Sequence, residues 1–354
     1  GLTIATAGSP GCCRLWSLED YNYHLLPRGS LLRPAYALLA SDGRTVAAID
    51  GTWKPAILSF PPGGDPTRTS PAASKLDPLG RLWYAALSHG TPKLLTATPT
   101  GSLTVTNLHS GEMIRDFPLS KPPWIGGALS ADGTLVAAVR ADGILKLFTL
   151  EDGVEQFSYP VGGSRIVPAC FSNDGKLLAT CSPTGVSIFN LSKPQAHPTL
   201  LELPNTRDLR GACVSFSPDS ARVVAYWENG AAGCWDVSSA QLLWSSNGDR
   251  FSDHYYSITF SGDGARLLVL GQLSQSSLAR LVDSRTGRLL TQWRTYALDP
   301  IVTGAFVRPK GASTSGSADG AAFSGIGTTD HESNPADDEI VLILSLIHIS
   351  EPTR

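Results

Sequence analysis

The residues of this chain that could do chemistry are a serine and an aspartate two positions apart, found repeatedly, with seven histidines and six cysteines scattered among them. A hydroxyl, a carboxylate and an imidazole are the material of a nucleophilic triad, and clustered histidine and cysteine are the material of a zinc site. The spacings support neither. His24, His89, His109, His197, His254, His331 and His348 do not stand at ligand spacing, and His331-Glu332 lacks the second histidine of a His-Glu-x-x-His helix. There is no Gly-x-Ser-x-Gly elbow and no Gly-rich loop ending in Gly-Lys-Ser/Thr. Triads assemble in space, but serine, aspartate and histidine are common turn residues here, so no metal, no cofactor and no enzymatic activity are expected. Cys12, Cys13, Cys170, Cys181, Cys213 and Cys234 contain no Cys-x-x-Cys pair. Four of them fall in predicted strands or at their edges, as buried free thiols of a reducing compartment would. Asn190-Leu-Ser192 is a single glycosylation sequon, a tripeptide expected by chance.

The serine–aspartate pair belongs to a longer phrase. It reads Leu39-Ala-Ser-Asp-Gly43, Leu129-Ser-Ala-Asp-Gly133, Phe171-Ser-Asn-Asp-Gly175, Phe216-Ser-Pro-Asp-Ser220 and Phe260-Ser-Gly-Asp-Gly264, with a weaker copy at Leu87-Ser-His-Gly90. With Gly43, Gly90, Gly133, Gly175, Ser220 and Gly264 as markers, successive copies stand 42 to 47 residues apart. A fixed period in this range, with several short strands per repeat, is the signature of an all-β fold, a β-propeller of four-stranded blades. In the fourth repeat Gly126–Leu129, Leu135–Val139, Ile144–Leu150 and Glu155–Tyr159 are the four strands, separated by turns at Asp132-Gly133, Asp142-Gly143 and Glu151-Asp-Gly153. Asp-Gly pairs favour two-residue hairpin turns, whose central positions both take positive φ. The second turn recurs at Gly11, Gly51, Gly101, Gly143, Gly185 and Gly230.

Second strands are almost wholly apolar: Val46-Ala-Ala-Ile49, Leu135-Val-Ala-Ala-Val139, Leu177-Leu-Ala-Thr180, Val223-Val-Ala-Tyr226 and Leu267-Leu-Val-Leu270. A strand with one wet face would alternate, so these runs imply burial on both faces between neighbouring blades. They are too short and too Gly-bounded to be helices.

The chain has 354 residues, 42% hydrophobic and 17% charged, the make-up of an ordinary globular protein. Its 35 Gly and 25 Pro suit a molecule built of turns, and its single Met and weak helical periodicity argue against an α-rich one. A net charge of −3 offers no bulk attraction to nucleic acid or to an anionic membrane.

The repeats divide into a partial first blade (Leu2–Leu26) lacking its inner strand and six complete blades near 35–60, 83–118, 125–159, 166–203, 212–246 and 256–293. Ile301–Val307 is one more inner strand. Pairing it with the partial blade closes seven blades over residues 1–307 without a free edge. Glu339–Ile343 reads as the second strand of a further repeat, so eight blades, or a slice of a tandem double propeller, are the alternatives. Pro61–Leu79 and residues 308–338 are low-complexity surface loops. Leu344–Arg354 resembles the translation of a transposase-type sequencing adapter and is set aside from fold reasoning as an artefact. The run Ile340–Ile349 is too short to span a bilayer.

Phe216-Ser-Pro-Asp219 and the strand end Cys234-Trp235-Asp236 resemble the WD40 repeat family, as do the strand endings Leu15-Trp16, Leu147-Phe148 and Ile188-Phe189. The resemblance covers nearly the whole chain by period. The family's Gly-His dipeptide is absent, and its turn Asp is kept only at Asp50 and Asp142, with Thr100, Thr184 and Asn229 in equivalent places. The Asp-His-Ser-Trp relay of the family therefore does not form as a set. What the resemblance implies is a rigid, non-catalytic scaffold for protein partners inside a larger intracellular assembly. A second resemblance is to propeller dehydrogenases that use a quinone cofactor, whose Thr-Gly…Trp phrase is similar to Asp283-Ser-Arg-Thr-Gly287…Trp293. Asp236…Leu243-Trp244 is a looser copy, and a vicinal cysteine pair is similar to Cys12-Cys13. No carboxylate cluster for the accompanying calcium stands out.

In a propeller the second-to-third-strand turns and the blade connections emerge on one face, and the Ser-x-Asp-Gly turns on the other. The first face collects Trp53, Trp124, Arg165, Arg207, Arg210, Trp227, Tyr255, Tyr256 and Arg294, residue types that dominate binding hot spots. These are the expected contacts for a protein or peptide partner. The competing expectation is that aromatics among them fill gaps between blades. Arg165, Arg207 and Arg210 would also suit RNA phosphates, the third reading, though no basic stripe accompanies them.

Overall fold

A computed structural model describes the strands between residues 3 and 59, residues 339–344, and residues 84–307 apart from 89, 163–168, 183–184, 194–195, 205–210, 228, 248–253, 274–275 and 297–300. Among the described residues all regular structure is β. The first sheet holds β1 (Thr3–Gly8), β2 (Cys12–Ser17) and β3 (Tyr23–Leu25); the second holds β4 (Pro34–Leu39), β5 (Thr45–Asp50) and β6 (Pro55–Ser59). Five four-stranded antiparallel sheets follow. The first of them is β7 (Tyr84–Leu87), β8 (Lys93–Ala97), β9 (Leu103–Asn107) and β10 (Met113–Phe117). The next comprises β11 (Trp124–Leu129), β12 (Leu135–Arg140), β13 (Ile144–Thr149) and β14 (Glu155–Pro160). Then come β15 (Ala169–Phe171), β16 (Leu177–Ser182), β17 (Gly185–Asn190) and β18 (Thr199–Glu202). After these stand β19 (Gly211–Phe216), β20 (Arg222–Trp227), β21 (Ala231–Asp236) and β22 (Leu242–Asn247). The fifth is β23 (His254–Phe260), β24 (Arg266–Leu273), β25 (Ser276–Asp283) and β26 (Leu289–Tyr296), and a last pair is β27 (Ile301–Val307) with β28 (Glu339–Leu344). Each four-stranded sheet is a meander of sequential neighbours. The architecture is a β-propeller of four-stranded blades.

The apolar second strands do what their composition requires. Val136 and Ala138 of β12 enter the seam towards the preceding blade, with Leu95, Val105 and Phe117, while Ala137 and Val139 enter the following seam with Phe171, Leu178 and Phe189. The pattern repeats at the next two seams, where Val223, Ala225 and Trp227 face one neighbour and Val224 and Tyr226 the other. Alternation along a strand thus sorts side chains between two dry interfaces instead of between core and water.

The Ser-x-Asp-Gly turns differ from two-residue hairpins. The Gly133 N–H donates to Ser130 O (2.9 Å) and the Ser130 N–H to Leu135 O (3.1 Å), closing a type I turn followed by one residue in the left-handed region. That residue is Gly133, Gly175 or Gly264, with φ of +67°, +70° and +71°, and Ser220 with φ of +59°. Aspartate stays at negative φ because its carboxylate is held by the turn itself, as described below.

The inner strands β4, β7, β11, β15, β19, β23 and β27 follow one another, and β27 lies against β4 as well as β23, so seven inner strands form a closed cycle. The expected pairing of Ile301–Val307 with the partial first blade gives way to a different one. β27 pairs with β28, from Ile301↔Leu344 to Val307↔Glu339, and β1 lies beside β28 in a separate sheet. Ile340-Val-Leu-Ile343 is the same continuous apolar run as the other second strands, and it takes the second-strand place.

Candidate functional site

Backbone hydrogen bonds sort the turns into two ends. At one, the second-to-third-strand turns bond the blade connections: Ser120 N–H to Gly101 O (3.1 Å), Ala141 N–H to Pro123 O (2.9 Å) and Val161 N–H to Gly143 O (2.8 Å). At the other, the turn after the third strand bonds the Ser-x-Asp-Gly turn. Leu150 N–H donates to Thr134 O (2.7 Å), and Leu191, Val237 and Ser284 repeat the bond to Lys176, Ala221 and Ala265.

The Ser-x-Asp-Gly end carries the recurring polar constellation. Ser130, Ser172, Ser217 and Ser261 are buried. Each hydroxyl donates to the aspartate two residues on, at 2.6 Å for Ser172–Asp174 and Ser261–Asp263. Each also accepts the N–H five residues on, from Leu135 and Leu177 (2.9 Å), Arg222 (2.9 Å) and Arg266 (2.8 Å). The Ser172 and Ser217 hydroxyls, with backbone N–H groups, hold Asp174 and Asp219 below the usual carboxylate range. At Asp132 and Asp263 burial pushes the pKa up, but the serine hydroxyl and the Thr134 or Ala265 N–H together outweigh it. A serine donating to a carboxylate that is itself held ionised is a structural acceptor pair, not an activated nucleophile, which needs a base able to take its proton. Where His89 replaces the aspartate region, the Ser88 hydroxyl donates instead across the seam to Ser130 O (2.9 Å).

The turns after the third strand use aspartate and asparagine in the same way. Asp283 accepts from the Thr286 N–H and hydroxyl (both 2.8 Å), with Gly287 at φ +72°. Asp236 accepts from Ser238 and Ser239, which bring its pKa to about 2. The phrase Asp283-Ser-Arg-Thr-Gly287 is therefore a turn. Trp244 of the preceding blade lies over Gly287, where an added Cβ would meet its ring at 2.7 Å, and donates from Nε1 to Ser284 O (2.9 Å). Lys93 and Arg222, each the first residue of a second strand, reach Gly133 O and Gly264 O of the next blade (both 2.8 Å). These bonds stitch the blades together.

Two of the loop-face aromatics, Trp124 and Trp227, are corrected by the structure. Trp124 is 3% exposed and Trp227 0%. Trp124 packs edge-on to Phe148 (ring centroids 5.9 Å) and Trp227 edge-on to Trp235 (6.2 Å), inside two seams separated by a third. Both side chains leave their strands towards a neighbouring blade, so neither presents a surface to a partner. Trp53, Arg165, Arg207 and Arg210 lie outside the described residues. Tyr255 (in β23) and Arg294 (in β26) are placed by backbone register, opposite Gly271 and Leu278, and Tyr256 stands at a register shift after Tyr255.

The four cysteines with described side chains contribute no reactive centre. Cys170, Cys181, Cys213 and Cys234 are free. Burial pushes the Cys170 and Cys234 thiols up to about 12 and holds those of Cys181 and Cys213 well above the ordinary thiol range. A cleft of about 130 Å³ opens between β7, β11 and β15, lined by Tyr84, Gly127, Ala131, Cys170, Ser172 and Asn173 among others. The Tyr84 hydroxyl is engaged with Gly127 O (2.6 Å). No charged side chain lines this cleft. Among the described residues, no group of three or more His, Cys, Asp or Glu side chains could hold a metal ion, and no helix is long and apolar enough to cross a membrane.

A feature that the sequence reading missed lies on the outer strands. β10, β14, β22 and β26 each carry a register shift at the same place, so that Ile114, Gln156, Leu243 and Leu290 are extra residues facing none on the third strand. Such bulges re-aim side chains. Ile114, Leu243 and Leu290 are exposed, as are Met113, Val154, Leu200 and Leu289 on or beside the same strands. Paired aliphatics at the strand start (Met113-Ile114, Leu242-Leu243, Leu289-Leu290) are the visible signal.

The fold defines a β-propeller protein whose described polar chemistry is turn-building. No protein-family model matches the chain, and no curated protein sequence matches it. Among solved structures it is similar to the Kuenenia stuttgartiensis hydrazine synthase, at 13% identity and a TM-score of 0.49, over 57% of this chain and 63% of that one. The match thus spans less than two thirds of that chain.

Proposed function

We propose that this propeller is a non-catalytic platform that binds protein or peptide partners in a multiprotein assembly. Its loop face would supply Trp53, Arg165, Arg207, Arg210, Tyr255, Tyr256 and Arg294. The observation that carries the reading is a contrast in how side chains are used. The serines and aspartates of the described turns are committed to holding the fold, while large aliphatics at recurrent bulges stand in water on the blade rims. Exposed aliphatic pairs on a rim are apolar surface that a partner can cover. Affinity capture from the native cell tests it, comparing the chain with an Arg207→Ala/Arg210→Ala variant. Loss of captured partners with an unchanged melting temperature is the expected result. Capture that is indifferent to both arginines removes the loop face from the proposal.

A further inference from the structure

The outer strands of the five four-stranded sheets differ in how their free edges are protected. An outer strand bonds its third strand on one side and leaves a row of backbone groups open on the other. β10 carries Arg115 and Asp116, β14 carries Glu155 and ends in Pro160, β18 has four residues ending in Glu202, and β26 carries Arg294. Charge, proline, shortness and a β-bulge are the usual guards against a second chain. Of these β22, Leu242-Leu-Trp-Ser-Ser-Asn247, has only the bulge at Leu243: it is six residues long with neither charge nor proline. Among the described strands only β21 shares a ladder with it. Its bulge residue Leu243 is 46% exposed, and Ser245, Ser246 and Asn247 are exposed as well. On the following blade Leu289 and Leu290 are exposed at the corresponding position.

We infer that β22 is a homodimer edge, at which the β22 strands of two copies of this chain pair antiparallel about a two-fold axis. The occupant is a second copy because the strand is complementary to itself. In any antiparallel register no charge meets a like charge and no proline removes a donor, whereas symmetric pairing of β10 sets Arg115 against Arg115 or Asp116 against Asp116 in two of its three central registers. Leu243 of each copy is then covered by the partner instead of by water. The contact is isologous, so it uses up both edges and stops at two chains. This goes beyond the platform reading and does not depend on it, since the loop face is not involved.

The test is the molar mass of the full chain in solution by light scattering and sedimentation equilibrium, across ~1–200 µM because the equilibrium follows mass action. The expected result is a concentration-dependent shift from the 37.4 kDa monomer to twice that mass. Leu243→Lys/Ser245→Lys should hold the chain monomeric over the same range with an unchanged circular dichroism melt. Gln156→Lys, the same kind of change at the equivalent bulge of β14, should leave the dimer intact. A chain that stays monomeric throughout, a dimer that survives the β22 lysines, or growth into larger species would each overturn the inference. Dimer loss would leave partner capture by the loop face untouched, so the two proposals fail separately.

Discussion

At Ser217 the hydroxyl and the carboxylate beside it find partners within five residues, and the serine is fully buried. At Leu243, in the same blade and in an equally recurrent position, the chain places an aliphatic side chain 46% exposed. Both sites are regular from blade to blade, yet one regularity closes the fold and the other leaves something open. Recurrence alone therefore does not separate structure from function in a propeller. Satisfaction does: the turn has no unmet requirement, and the rim has apolar surface that water serves poorly and a free edge that a second strand can pair.

That contrast can be broken most forcefully at a seam. Trp227→Ala removes a fully buried ring that packs on Trp235, and should cost about 3–5 kcal/mol of stability in denaturant unfolding, or prevent folding. A mild effect would return Trp227 to the surface. Ser217→Ala comes next, since it leaves the Arg222 N–H without its part-buried acceptor, and a loss of about 1–3 kcal/mol is expected. Acid should act on all the turns together. Asp132, Asp174, Asp219, Asp236 and Asp263 have depressed pKa values when folded, so their contribution is present above the unfolded value near ~3.9. It is lost as pH falls through the folded values, towards about 2 for Asp236. The melting temperature should accordingly hold steady from neutral pH down to about 5 and drop below about 4. A steady melting temperature through that lower range would mean that the carboxylates do not hold the turns.

Smaller effects sharpen the picture. Ala240 and Ser220 take φ of +57° and +59° where the equivalent residues of other blades are glycines. Ala240→Gly should therefore stabilise the protein by about 0.5–1 kcal/mol, the relief of left-handed strain exceeding the entropy glycine adds to the unfolded chain. Destabilisation would show that the turn after β21 gains nothing from glycine. Leu243→Lys is the smallest: at a monomeric concentration its unfolding free energy should stay within about 0.5 kcal/mol of the parent. A large loss there would place Leu243 in the core and remove the contrast with Ser217.

The four-stranded blades, the two-sided burial of the second strands and the turn positions were all legible in the chain. The strands found for the fourth repeat lie within two residues of those read from its sequence, because Asp132-Gly133 and Asp142-Gly143 bound them locally. The type of the turn was not legible. Asp-Gly is compatible with two backbone geometries, and the choice rests on the Ser130 hydroxyl folding back onto Asp132. Nor was the fate of the loop-face tryptophans. Trp124 and Trp227 stand at strand ends where a linear reading places them near solvent, and packing against a ring of their own blade and the side chains of the preceding one decides their burial.

Sequence alone determined what is made within a few residues: the period, the strand and turn alternation, and the serine and aspartate that bond to each other. Tertiary structure alone decided what depends on a neighbour: which seam each side chain enters, that β28 and not the first blade pairs with β27, and that the outer-strand bulges turn Ile114, Leu243 and Leu290 outward. The physical reason is range. A turn hydrogen bond closes over five residues and is encoded there, whereas a seam contact or a ladder register is fixed by packing between segments far apart in the chain, and no local pattern carries it.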